Sequence, residues 1–230
     1  MPREETPDQI RDSHINAMGP ELGPIFHQLF HECAWLHMKW SEFRALYATS
    51  ETRIALLNRA AGGFFRIVQI VMREGILLHL ARLTDPPSSG GKPNLTLRRL
   101  PPLVEDASAR LEVQQLVDEA VAACAFAKQW RNRHIAHRDL DLHLGTGADP
   151  LPVAEERSVD LAVTAVSASI EWFYANYLDS GLSFLLLSRP SDAESLLYTI
   201  REGLEAEAAR RERLRSGRLQ PGDIGPPRPL

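Results

Sequence analysis

The sequence has little cysteine, little bias of charge and few signs of strand. Cys33 and Cys124 are the two cysteines in 230 residues, too few for a disulfide framework. Each lies in an apolar helical stretch, which suits buried thiols in a reducing compartment, so the cytoplasm is the expected location. Branched aliphatic residues seldom alternate with polar ones, which argues against half-buried strands. A formal net charge of -4 excludes attraction of polyanions to the surface as a whole; any polyanion needs a local basic patch. Residues 1–11 are charged and polar, without the apolar core of a signal peptide. The best apolar run, residues 181–187, is far too short to cross a bilayer, so no membrane anchor is expected.

What is present is an ordinary globular composition, 44% hydrophobic and 24% charged, long enough for one core with appendages. Apolar residues recur three and four apart over long windows, the spacing of amphipathic helices. After the break at Gly19-Pro20, the stripe Ile25, Leu29, Phe30, Cys33, Leu36, Trp40, Phe43 and Tyr47 predicts a helix over about 21–49. Ser50 is a suitable cap for a second helix ending near Arg82, with Ile54, Leu57, Ala61, Phe64, Val68, Val71, Gly75 and Leu78 facing inward. Gly62-Gly63 is a candidate for close approach of a neighbour. Residues 85–93, rich in Pro and Gly, read as a mobile loop. Pro101-Pro102 can open a third helix running up to residue 131, with a bend near 106–108. Val159, Val163, Val166, Ile170, Phe173, Tyr174 and Tyr177 mark a fourth.

Ser191 with Glu194 reads as a capping box for a last helix, whose charged part, 205–215, is expected to project from the core. The expectation is an all-α fold, an up-and-down helical bundle of four long helices plus a C-terminal helix. Its parts are an N-terminal extension (1–20), the bundle (21–190), the C-terminal helix (191–215) and a disordered tail (216–230).

The chemically pointed segment runs from Lys128 to Arg138. It holds Lys128, Arg131, Arg133, His134, His137 and Arg138 without an acidic residue, a local excess able to hold phosphate. Cleaving RNA through its own 2′-hydroxyl requires a base, an acid for the leaving 5′-oxygen and a cation beside the phosphorus. Histidine titrates near neutral pH and guanidinium donates in a planar fork, so the two types supply all three. In a continuous α-helix six residues rise about 9 Å and turn through about 600°, which sets Arg131 and His137 roughly 120° apart. Two copies across a twofold axis would bring these groups into one cleft, which favours a homodimer.

The order Arg131, polar Asn132, then His137 is similar to the R-x(4-6)-H motif of the HEPN superfamily. Leu80-Ala81-Arg82-Leu83-Thr84-Asp85-Pro86, Asn94-Leu95-Thr96-Leu97 and the 131–137 segment resemble the AbiU-like abortive-infection family within it, over about residues 25–178. The resemblance implies a helical, usually dimeric, metal-independent endoribonuclease of phage defence or toxin-antitoxin systems, with no cofactor and an antitoxin protein as a possible partner. Arg131, Asn132 and His137 would be catalytic, and Lys128, Arg133, His134 and Arg138 would hold RNA. A catalytically inactive RNA-, nucleotide- or protein-binding module is the alternative.

Blander readings stand beside these. Basic side chains at a helix end favourably meet its dipole. Arg82 and Asp85 can form a local ion pair, or help to shape a substrate groove. His134, His137 and His143 with Asp139 and Asp141, or His27 and His31 with Glu32 and Cys33, have the residue types of a metal site.

Overall fold

The computed structural model describes residues 6–48, 50–147, 149–178, 184 and 192–224. Among them the chain is all-α apart from one small hairpin. The helices are α1 (Pro7–Tyr47), α2 (Glu51–Leu83), α3 (Ala107–Ala123), α4 (Ala125–Trp130), α5 (Leu140–Leu144), α6 (Glu156–Tyr177) and α7 (Asp192–Ser216); the strands are β1 (Ser88–Ser89) and β2 (Lys92–Pro93). The chain divides into two compact units, Met1–Ser41 with Ile70–Arg189, and Glu42–Gln69 with Pro190–Leu230.

In the first unit α1 starts well before the expected residue 21, and it is not straight. Gly19 has φ 80° and ψ 174°, a left-handed region open to glycine, and Pro20 then opens the continuing helix. The preceding segment folds back, so that a Cβ on Gly23 would lie 2.6 Å from Ile15 Cα. Glycine at 23, not at 62 or 63, is therefore the one that permits close approach; a Cβ on Gly63 would meet nothing, and on Gly62 only Asn58. His14 fixes the folded-back segment, its Nε2 2.9 Å from the Tyr174 hydroxyl and its Nδ1 3.2 Å from His27 Nδ1. A nitrogen–nitrogen hydrogen bond needs one bare lone pair, so at least one of the two rings is neutral.

The core of this unit joins Phe26, Leu29, Cys33 and Leu36 of α1 to Val159, Val163, Val166, Ile170 and Phe173 of α6, all buried. Those α6 positions are the expected stripe, and each such side chain contributes about 1.5–3 kcal/mol when taken from water. Ile76, Leu77, Leu80 and Leu83 of α2 and Val113, Val117 and Ala120 of α3 complete it. Cys33 and Cys124 are buried and unpaired, and burial pushes both thiols up to about 12.

The face assigned to α2 from its sequence is out of phase. Leu57 is buried as expected, but Ile54, Phe64 and Val71 are exposed, whereas Phe65, Ile76, Leu80 and Leu83 are buried. Ala61 explains the slip: its extended backbone (φ -161°, ψ 66°) breaks the helix, so one periodicity cannot run through it. By length and composition α2 also meets the requirements of a membrane span, with an 18-residue window of mean hydropathy 1.3. The expectation drawn from residues 181–187 overlooked it. Its last two turns are core of the first unit.

Residues 85–94 form a fastened hairpin rather than a loose loop. Ser88 pairs with Pro93 and Ser89 with Lys92 around Gly90-Gly91. Asn94 donates to Pro86 O (2.9 Å) and Pro87 O (2.9 Å), and Arg99 donates to Pro87 O (2.8 Å) and Asn94 O. The third helix begins later than expected: Pro101–Leu103 is a single 3-10 turn, and α3 starts only after Asp106, whose carboxylate caps Ala109 N at 2.8 Å.

In the second unit Ser50 does cap α2, accepting from the amides of Thr52 and Arg53. The start of α7 is capped by Glu42, which accepts from Asp192 N (3.1 Å) and Ala193 N (2.7 Å). Glu194 accepts from Arg53 (3.1 Å); Ser191, the other half of the expected capping box, lies outside the described residues. Residues 217–224, expected within a disordered tail, fold back on α7. Asp223 receives a bidentate bond from Arg213 (2.9 and 2.8 Å), which holds its carboxyl down to about 2, and its carbonyl accepts from Arg210. Residues 225–230 lie outside the described residues.

Burial holds His14 at about 4, against an ordinary value of 6.5, aided by the nearby His27 and His31; burial does the same to His79 on α2, aided by Lys39. Between those values the unfolded chain binds protons that the folded chain does not, so stability is full above about 6.5 and falls as pH drops toward 4. Chemical denaturation across that range should show the fall, and His14→Gln should flatten it; an unchanged slope would remove His14 from the account. Gly23→Ala should destabilise by about 1–3 kcal/mol through forced backbone displacement, although alanine in a helix normally stabilises by roughly 0.5–1 kcal/mol. Gly75→Ala, where a Cβ meets nothing, should show that ordinary gain in the same melting experiment.

Candidate functional site

The basic segment leaves α-helical geometry at its first arginine. Residues Arg131–Ile135 form a π-helical turn, closed by Ala136 N donating to Arg131 O at 2.8 Å, five residues back. Such turns carry an extra residue per turn and recur at functional sites. The arithmetic that set Arg131 and His137 roughly 120° apart on one α-helix therefore does not apply.

Anchors on both sides hold the turn. Before it, the Trp130 indole donates to Pro152 O at 2.8 Å, and the Arg73 guanidinium lies 5.2 Å from its ring centroid, a cation–π contact. After it, Asp139 N donates to Arg133 O at 3.1 Å, and the Asp139 carboxylate caps α5 through Leu142 N.

The segment has no acid of its own, and the fold brings acids to it. Arg131 gives Nη1 to Asp85 Oδ2 and Nε to Asn132 Oδ1 (2.9 Å). Both members of the Arg131–Asp85 pair are largely withdrawn from water, with side chains 21% and 16% exposed. Removing one partner of a buried pair typically costs about 3–5 kcal/mol, because the other charge is left unmatched. Arg133 gives Nε to Asp139 (3.1 Å) and Nη2 to Asp149 O (2.8 Å), and that guanidinium holds the Asp139 carboxyl below its ordinary value. His134 lies with Nε2 3.5 Å from Glu74 and its ring stacked on His143, centroids 5.5 Å apart. His143 Nδ1 is 2.9 Å from Asp139 O and its Nε2 is 3.1 Å from Arg138 Nη1. One neutral tautomer satisfies both contacts: Nδ1–H donates to the carbonyl while Nε2 accepts from arginine.

The expected residues thus fall into two groups. Arg131, Arg133 and His134 face protein partners; Asn132, His137 and Arg138 are exposed, and Lys128 is half-buried on α4. Among the described residues the His137 ring has no hydrogen-bond partner, and Arg131 Nη2 has none either. The guanidinium therefore keeps donor capacity after its two bonds, and an exposed imidazole stands two residues beyond the turn.

Among the described residues no three His, Cys, Asp or Glu side chains are grouped as metal ligands would be, including the two sets considered from sequence. Reading the sequence alone missed Asp85 as the counter-charge of Arg131, and Arg73, Glu74 and Pro152 as supports. The Asp85 signal was there, in the Leu80–Pro86 motif, but a local pairing with Arg82 explained the same residue. Arg82 instead lies 3.8 Å from Glu32.

No curated protein and no solved structure matches the chain. The family model described as AbiU2, of the HEPN type, matches residues 19–195. With most of its length matched, including all three motifs and the π-turn, this chain belongs to the AbiU2 family of HEPN domains.

Proposed function

We propose that the protein is a metal-independent endoribonuclease acting in phage defence or a toxin-antitoxin system, with its working site assembled across a homodimer. The observation that carries this reading is the pairing of Arg131 with Asn132 at the head of the π-turn, followed by the exposed His137. Arg131 clamps the scissile phosphate through the donors its bonds leave open. The 2′-oxygen attacks phosphorus while its proton passes to a base; the bond to the 5′-oxygen breaks as an acid supplies that oxygen with a proton.

Base and acid must begin in opposite protonation states, so two separate proton-transfer groups are needed. One chain brings one His137, and a twofold copy brings the second. Lys128, Arg133, His134 and Arg138 surround this site as the basic rim that holds RNA. Single-stranded or loop RNA is the substrate class, because in-line attack needs a flexible backbone. An antitoxin protein and a cytoplasmic setting complete the proposal.

A second reading is a silent RNA- or protein-binding module. It draws support from the carboxylates on Arg131 and Arg133, which reduce the field available to phosphate.

Purified protein incubated with unstructured RNA in EDTA decides between them. Cleavage of RNA but not of the same DNA sequence is expected, and His137→Ala and Arg131→Ala should each lower the rate by at least about 100-fold with helicity unchanged. Binding without turnover, weakening with salt, would establish the silent module, and undiminished cutting by both variants would end the assignment of the site.

A further inference from the structure

Asp85 is 46 positions from Arg131 in sequence and outside the arginine–histidine motif, yet it is the acid that the motif arginine meets. Its position is over-determined. The Thr96 hydroxyl lies 2.8 Å from Asp85 O and 2.9 Å from Leu83 O. Asp85 N donates to Arg82 O, and Thr84 Oγ1 is tied to Leu80 O at 3.0 Å. The hairpin that follows is fastened by Asn94 and Arg99. A carboxylate carried on a loop with this many backbone anchors is a rigid support.

The guanidinium it meets is held from two directions. Asn132 takes Nε and Asp85 takes Nη1, while Nη2, the third nitrogen of the fork, has no partner among the described residues. The two bonds fix the plane of the group and its rotation, and they leave the Nη2 donors for an incoming phosphate. Asp85 Oδ1 is buried without a partner, so this carboxylate is not there to satisfy itself; it is spent on Arg131 alone.

We propose that Asp85 is a positioning residue for the Arg131 phosphate clamp, holding the guanidinium in a fixed plane with its Nη2 edge presented to the scissile phosphate. The inference rests on the ribonuclease reading of Arg131. Asp85 touches no substrate and moves no proton. It acts by sparing the arginine the search for its working geometry, and misplacement of such a group by about 1 Å costs on the order of 100-fold in rate. A brake is the opposite sign of the same contact, and the unengaged Nη2 argues against it: phosphate arriving there does not have to displace Asp85.

The test combines kinetics with a readout independent of cleavage. In the full chain, the Nη1–H resonance of Arg131, on the nitrogen that donates to Asp85, assigned by its absence from Arg131→Lys, should be protected from exchange. It should persist in Asp85→Asn, which keeps an acceptor, and be lost or fast-exchanging in Asp85→Ala. Asp85→Ala should lower kcat on unstructured RNA about 100-fold with KM changed less than about threefold, while Asp85→Asn should recover most of the loss. A protected resonance in Asp85→Ala, unchanged kcat, or faster cleavage would each overturn the positioning role.

If Asp85→Ala fails to fold, Thr96→Val displaces the loop with the carboxylate intact and should give a partial loss of both protection and kcat; no change in either would overturn the proposal. If the wild type cuts no RNA, the ribonuclease reading fails, and the resonance still reports whether Asp85 orders Arg131.

Discussion

A guanidinium withdrawn from water demands a fixed counter-charge, and the architecture around residues 80–139 follows from meeting that demand for Arg131. The required carboxylate lies at the end of α2, in the first irregular residues before two prolines. An acid in a free loop would lose chain entropy to form such a bond. The Thr96 hydroxyl, the Asn94 amide and the Arg99 guanidinium remove that freedom in advance, by bonding to the carbonyls of residues 83, 85, 86 and 87. What looks from composition like a flexible connection is a support whose cost has already been met by local bonds.

The same logic governs the electrostatics. From Lys128 to Arg138 the sequence carries basic residues and no acidic one, yet Asp85 and Asp139 match two of its arginines and Glu74 faces its first histidine. Matching lowers the net attraction for a polyanion and raises the precision with which the remaining donors point. A site built this way relies on orientation more than on field strength, which is the arrangement that catalysis by preorganised groups requires and that loose electrostatic capture of nucleic acid does not.

Legibility in the sequence followed the range of the physics involved. The α6 stripe was readable because an unbroken helix keeps one phase for 22 residues. The α2 face was not, because Ala61 resets the phase without any proline or positive φ to announce it. Gly19-Pro20 marked a break, but only the approach of Ile15 to Gly23 shows that the chain doubles back there. Helix caps supplied by a residue's immediate neighbours, such as Ser50 and Asp106, follow local rules. The cap that Glu42 places on α7 comes from 150 positions away and has no local signal. The candidate site divides in the same way: Arg131, Asn132 and His137 form a contiguous motif, while Asp85, Glu74 and Arg73 are united with it only by folding.

The π-turn changes the basis of the proposed two-chain site. On a continuous α-helix, Arg131 and His137 would point apart, and a second copy would be needed simply to bring an arginine to a histidine. Residues 131–135 are wound more loosely, and the chain leaves the helix at Ala136, so the α-helical angle no longer supplies that geometric necessity. What remains is a chemical one. Attack by a 2′-hydroxyl and departure of a 5′-oxygen are two proton transfers in opposite directions, and among the described residues this segment offers one exposed imidazole without a partner, that of His137. His134 is engaged by Glu74, His143 and Trp130, and His143 by Arg138 and Asp139. The case for a composite site therefore passes from the angle between two side chains to the number of histidines without a protein partner among the described residues.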